Sequence, residues 1–125
     1  MSNPTLNQLS RLLCATALLS LAACASQKAP ATADVAVSKN AVENAVSAGA
    51  AELAPEEINL ARAKMLRASQ ALAAKDYTLA RDLATQAQAD AKLAQSKANS
   101  AKASAAANAL QEDVRALRDE VERAK

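Results

Sequence analysis

Apolar positions divide the chain into an N-terminal run without periodicity and a long remainder with helical periodicity. Residues 12–23 are almost continuously apolar or small. From Asp34 the apolar residues recur at helical spacing, with Val35, Val42 and Val46 set among alanines and polar residues, which predicts a weak first helix. Gly49, the single glycine, is placed to end it as a left-handed C′ residue. Ala54-Pro55-Glu56-Glu57 then reads as a second helix start. Proline at N1 forfeits no hydrogen bond, and two carboxylates in the first turn favour the positive end of the helix dipole. Ile58, Ala61, Met65, Ala68 and Leu72 follow at steps of three and four, and Leu60 and Leu66 widen that stripe toward a second contact.

Lys75-Asp76-Tyr77 interrupts the pattern without glycine or proline. Asp76 is a good N-cap, and so short a connection predicts that the next helix returns antiparallel. An unbroken helix from Pro55 onward is the competing reading. The third helix carries the clearest rhythm: Ala80, Ala84, Ala87, Ala91, Ala94, Ala98, Ala101 and Ala105 fall at alternating steps of four and three. This is a helix-packing seam of methyl groups, which lets two backbones approach closely while burying little surface per residue. With no glycine or proline after Pro55, the helix can run to Glu122, ~70 Å at 1.5 Å per residue. Leu110, Val114, Leu117, Val121 and Ala124 continue the four–three rhythm with larger residues, while acidic and basic residues fill the other faces. Two such heptads have the character of a coiled coil, and an uncovered stripe of this kind predicts self-association through Leu110, Val114, Leu117 and Val121.

Composition narrows the function. Alanine fills 36 of 125 positions, there is no His, Trp or Phe, one Tyr and one Gly, and Lys+Arg 15 stand against Asp+Glu 13. Such a chain is a poor sheet former and predicts an all-α fold. That fold is an antiparallel alanine-rich helical hairpin with a weak preceding helix and a long C-terminal coiled-coil-like helix. Without His and with Cys14 and Cys24 alone, the usual metal sites and nucleophile–base pairs cannot be assembled. Phosphate loops are missing as well. No catalytic residue, no metal and no cofactor are expected, and the even spread of a small charge gives no reason to expect nucleic acid. Lys75, Asp76 and Tyr77 form the one compact polar cluster, and a capped turn explains them.

The N-terminal run has Arg11 before an apolar stretch too short to span a bilayer and small residues at its end, the plan of a secretory signal peptide. Its last residues, Leu21-Ala22-Ala23-Cys24, resemble the bacterial lipobox. The resemblance implies cleavage before Cys24, diacylglycerol on its thiol and a third acyl chain, such as palmitate, on the new N-terminus. Three chains exceed the two signals that stable anchoring needs. Ala25 after the cysteine, rather than Asp, implies the outer membrane, on its periplasmic face. Cys14 is then discarded with the signal and Cys24 is capped, so no disulfide is expected. The chain therefore divides into a removed signal peptide (1–23), a flexible tether from lipidated Cys24 (24–33), the alanine-rich hairpin domain (34–107) and a charged amphipathic C-terminal helix (108–125).

The stretch from Ala48 to Ala94 is similar to a family of small proteobacterial lipoproteins that carry the domain of unknown function 4398. The similarity rests on Glu52-Leu53-Ala54-Pro55-Glu56, Ala61-Arg62-Ala63-Lys64-Met65, Asp76-Tyr77 and the Ala80/Ala84/Ala87/Ala91 run. It implies an alanine-rich helical hairpin in the cell envelope and no established activity. Ala68, Lys75-Asp76-Tyr77 and Ala80 also resemble one helix-turn-helix of a tetratricopeptide repeat, which implies hairpin geometry only. The expected function is a structural or protein-interaction role at the envelope. Its expected partners are the membrane, a second copy of the chain, and peptidoglycan or another envelope protein. The alternative is an outer membrane to peptidoglycan tether. Murein lipoproteins share an acylated cysteine, a long alanine-seamed helix and a final lysine, here Lys125; this chain departs from them in its hairpin and longer body.

Overall fold

A computed structural model describes residues 27–125. The described residues form four helices: α1 (27–47), α2 (Ala50–Leu53), α3 (Pro55–Ala73) and α4 (Tyr77–Arg123). Cys14, the lipobox residues Leu21, Ala22 and Ala23, and Cys24 lie outside the described residues.

Each junction is built by local chemistry. Gly49 ends α1 with φ 86°, and its N–H donates to the Val46 carbonyl at 2.9 Å, as a C′ glycine does. One turn of helix, α2, leads to Ala54, whose non-helical backbone (φ −146°, ψ 56°) breaks the helix and sets Pro55 at the head of α3. Glu56 and Glu57 occupy the first turn of α3. At the other end of α3, Lys75 N–H donates to Leu72 O at 3.1 Å and Asp76 N–H to Ala71 O at 2.9 Å. Those paired bonds make a Schellman motif with Lys75, at φ 64°, in the left-handed position usually held by glycine. Asp76 Oδ1 then accepts from Leu79 N–H at 3.1 Å and caps α4. The corner is thus a true reversal, and the unbroken helix does not occur.

The three long helices lie side by side. Lys64 pairs with Asp90 at 2.7 Å and Glu57 with Lys97, so α3 and α4 run antiparallel away from the corner. Asp34 Oδ2 accepts from Arg81 Nε at 2.9 Å near the start of α4, and Gly49 lies beside Lys102 farther along it. α1 is therefore parallel to α4 and antiparallel to α3. The hairpin is completed by α1 as a full third member, rather than preceded by a marginal one.

Packing is fine-grained. Ile58 of α3, Val42 and Ala45 of α1, and Ala91, Ala94 and Ala98 of α4 form the larger core cluster; Ala68, Leu83 and Ala84 form a second. Apart from Ile58, Ser38 is the bulkiest side chain shut fully away from water, and its hydroxyl donates to Val35 O at 2.8 Å. A helix–helix interface lined by methyl groups brings backbones close, and close packing rather than large side chains supplies the dispersion contacts.

Residues 27–33 correct the expected tether. They are helical, and Ala31 is completely buried. A stretch of small and polar residues looks like a linker in isolation, yet Ala and Lys are good helix formers once a neighbour covers one face. Leu60 and Leu66 remain largely exposed, so the widening of the α3 stripe does not bury them. Met65 is half-buried and packs against the larger core cluster, and with Leu66 it borders a groove shared with Val42 and Val46 of α1.

Candidate functional site

The alanine seam has two ends, and the second is where the molecule becomes unusual. Ala80, Ala84, Ala87, Ala91, Ala94 and Ala98 are buried, Ala101 is half-covered and Ala105 is exposed. The seam therefore stops serving as a packing surface between Ala98 and Ala105. The cause is length: α4 is 47 residues against 19 for α3, and α1 turns away at Gly49 beside Lys102. Every described residue from 102 onward is exposed. At 1.5 Å per residue this arm projects roughly 30 Å beyond the bundle.

Leu110, Val114, Leu117 and Val121 all lie on the arm, with Leu110 64% and Leu117 66% exposed. The four–three rhythm continues here, but not its phase. Ala105 to Leu110 is a five-residue step, which turns the apolar stripe about 140° away from the seam at 100° per residue. Ala103 and Ala107 fall on the new stripe, in step with Leu110, and were hidden in the sequence by the surrounding alanines. The arm thus carries its own face, and that face is not an extension of the surface that holds α4 to α1 and α3. Val114, Leu117, Arg118 and Val121 line one shallow groove along it, and Leu110 and Arg115 border another.

Within the bundle three ion pairs bridge helices: Lys64–Asp90, Arg81–Asp34 and Lys97–Glu57. Glu57 and Lys97 bridge α3 and α4. The hydrogen bond from Lys97, aided by Glu57's own backbone N–H, lowers the Glu57 carboxyl below its ordinary range. The same hydrogen bond and the negative charges of Glu57 and Glu56 raise Lys97. Asp90 Oδ2 is shut off from solvent and is met by the Lys64 ammonium. Sequence spacing gave no sign of these pairs, because partners as far apart as Glu57 and Lys97, 40 residues, meet only once the corner is formed.

The polar corner is likewise occupied by structural duties. Asp76 is the cap of α4, Lys75 holds the left-handed position, and Tyr77 is half-buried at the first turn. Among the described residues no group of His, Cys, Asp and Glu could hold a metal ion. No helix among them is long and apolar enough to cross a membrane.

Neither a curated protein nor a solved structure matches the chain. A family model does. It spans residues 33–110, more than half of the chain, and reaches beyond the Ala48–Ala94 stretch on both sides. The matched region takes in most of α1, all of α2 and α3, and α4 up to Leu110, the first large apolar residue of the arm. With the corner, the seam and the third helix all inside that match, the chain belongs to the family defined by the domain of unknown function 4398 (DUF4398).

Proposed function

We propose that this is a lipid-anchored protein of the cell envelope, with a structural or protein-interaction role and no catalysis. It is attached through acyl chains on Cys24 to the periplasmic face of the outer membrane. The Leu21-Ala22-Ala23-Cys24 sequence supports the anchor, and Ala25 supports the outer membrane. One observation carries the interaction role: a helical arm beyond the bundle exposes Leu110, Val114, Leu117 and Val121 together. Apolar faces of this kind on an otherwise polar surface mark contact sites. Polarity of the fold supports the same reading. Gln27 borders Thr78 at the corner end of the bundle, while the arm leaves from the opposite end. A chain anchored just before residue 27 holds its arm away from the membrane.

The experiment is Cys24→Ser followed by fractionation and intact mass. The native chain is expected in the membrane fraction with acyl mass, and the variant as unprocessed or released polypeptide. Unchanged maturation and unchanged partition of the variant refute the anchor. For the interaction role, a photoreactive residue at Leu117 in intact cells is expected to give a discrete adduct, and no adduct at any position along the stripe refutes it.

A second reading, tethering to peptidoglycan through Lys125, is favoured by one feature. Its amine stands at the exposed tip, 3.4 Å from Glu122 and otherwise in solvent. Muramidase digestion with mass spectrometry tests it, and the absence of a Lys125-linked muropeptide refutes it.

A further inference from the structure

We propose that the arm pairs with the arm of a second copy as a parallel, in-register, two-stranded coiled coil. The inference deepens the interaction role above and rests on its exposed stripe. Three independent features select this occupant and this geometry.

Residue type comes first. In heptad terms Val114 and Val121 occupy a positions, with Leu110 and Leu117 at d. A β-branched residue at a with leucine at d is the combination that favours two parallel strands over three or four. Ala103 and Ala107 extend the same stripe toward the bundle with small side chains, so two helices can draw together before the bundles diverge.

Charge is the second feature, and it fixes direction. The g positions hold Asp113 and Glu120, and the following e positions hold Arg118 and Lys125. In a parallel pair each g residue faces the e residue five positions on in its partner. That sets Asp113 against Arg118 and Glu120 against Lys125 on both sides of the coil. In an antiparallel pair g faces g and e faces e, which sets acid against acid and base against base. Within one chain Glu120 pairs with Arg123 and Lys125 with Glu122, but all four side chains are at least 69% exposed. Such surface pairs hold little and can exchange partners.

The third feature is that the arm is already folded. α4 is continuous from Tyr77 to Arg123, so its bundle-packed half removes the nucleation cost that makes short isolated helices marginal. The stripe also faces away from the seam, which leaves room for a partner helix without disturbing α1 or α3. For two chains in one membrane, the parallel arrangement keeps both anchors at the same end, and co-anchoring raises their effective concentration.

Sedimentation equilibrium of the full chain in density-matched detergent tests the proposal, using the native chain, Leu117→Asp, Glu120→Lys and the double variant Glu120→Lys with Lys125→Glu. The native chain is expected as a dimer. Glu120→Lys makes two cross-strand pairs repulsive and is expected to raise the dissociation constant on the order of tenfold or more. The double variant restores opposite charges and is expected to return to near-native affinity, while Leu117→Asp is monomeric with its bundle helicity intact. A monomeric native chain overturns the proposal, as does a trimer or larger species. Tighter association of Glu120→Lys, or no recovery in the double variant, overturns the parallel alignment. These substitutions leave Cys24 untouched. A chain that is monomeric yet still needs Cys24 for membrane partition therefore refutes the dimer and spares the anchor.

Discussion

Ala91 and Ala105 are members of one four–three series, and nothing local distinguishes them. The structure separates them sharply: Ala91 is at 0% exposure between α4, α1 and α3, whereas Ala105 stands in solvent. Replacing each with leucine is therefore a direct test of where the seam ends. Helix propensity differs little between Ala and Leu, so any difference between the two variants reports packing. At Ala91 the added carbons would enter a core cluster that also holds Val42, Ile58 and Ala61, in which every member is at most 5% exposed. Overpacking of this kind costs about 1–3 kcal/mol. For a unit of this size that lowers Tm by roughly 5–20 °C. At Ala105 the cost is under about 0.5 kcal/mol, the ordinary range for a surface substitution. Urea unfolding followed by far-ultraviolet circular dichroism gives both values, with an unchanged m-value confirming that the unfolded reference is shared. Equal destabilisation by the two variants, or a larger effect at Ala105, refutes the placement of the seam's end.

The remaining predictions concern the corner and the bridge across the hairpin. Lys75 holds φ 64°, a conformation that costs a side-chain-bearing residue about 1 kcal/mol relative to glycine, so Lys75→Gly is expected to raise stability by about that amount in the same unfolding assay. A loss of stability argues that the Lys75 side chain does more than occupy the turn. For the Glu57–Lys97 pair, pH supplies the sign. Glu57 is lowered from 4.5, so its contribution is present above the ordinary carboxyl range and is lost as pH falls through its folded value. Lys97 is raised from 10.5, so its contribution is complete below the ordinary lysine value and is lost as pH rises through the folded one. Glu57→Gln is therefore expected to lower the urea midpoint at neutral pH, with the gap to the native chain closing once pH drops below the carboxyl range. A gap that stays constant from neutral to acid pH excludes the ionic bridge as its source.

The all-α class, the corner at Lys75-Asp76, the stop at Gly49 and the start at Pro55 were legible in the sequence for one reason. Each depends on residues within a turn of one another: a cap, a left-handed backbone, a fixed proline φ. The stripe of the arm was legible on the same grounds, because its rhythm is local. Tertiary structure decided what such rules cannot reach. It made residues 27–33 a helix by giving Ala31 a neighbour, and it ended the alanine seam near Ala98 by ending α1 and α3 there. Repetition at steps of three and four states which side chains share a face. Whether that face is covered depends on the length and placement of other helices, and those lie many residues away along the chain.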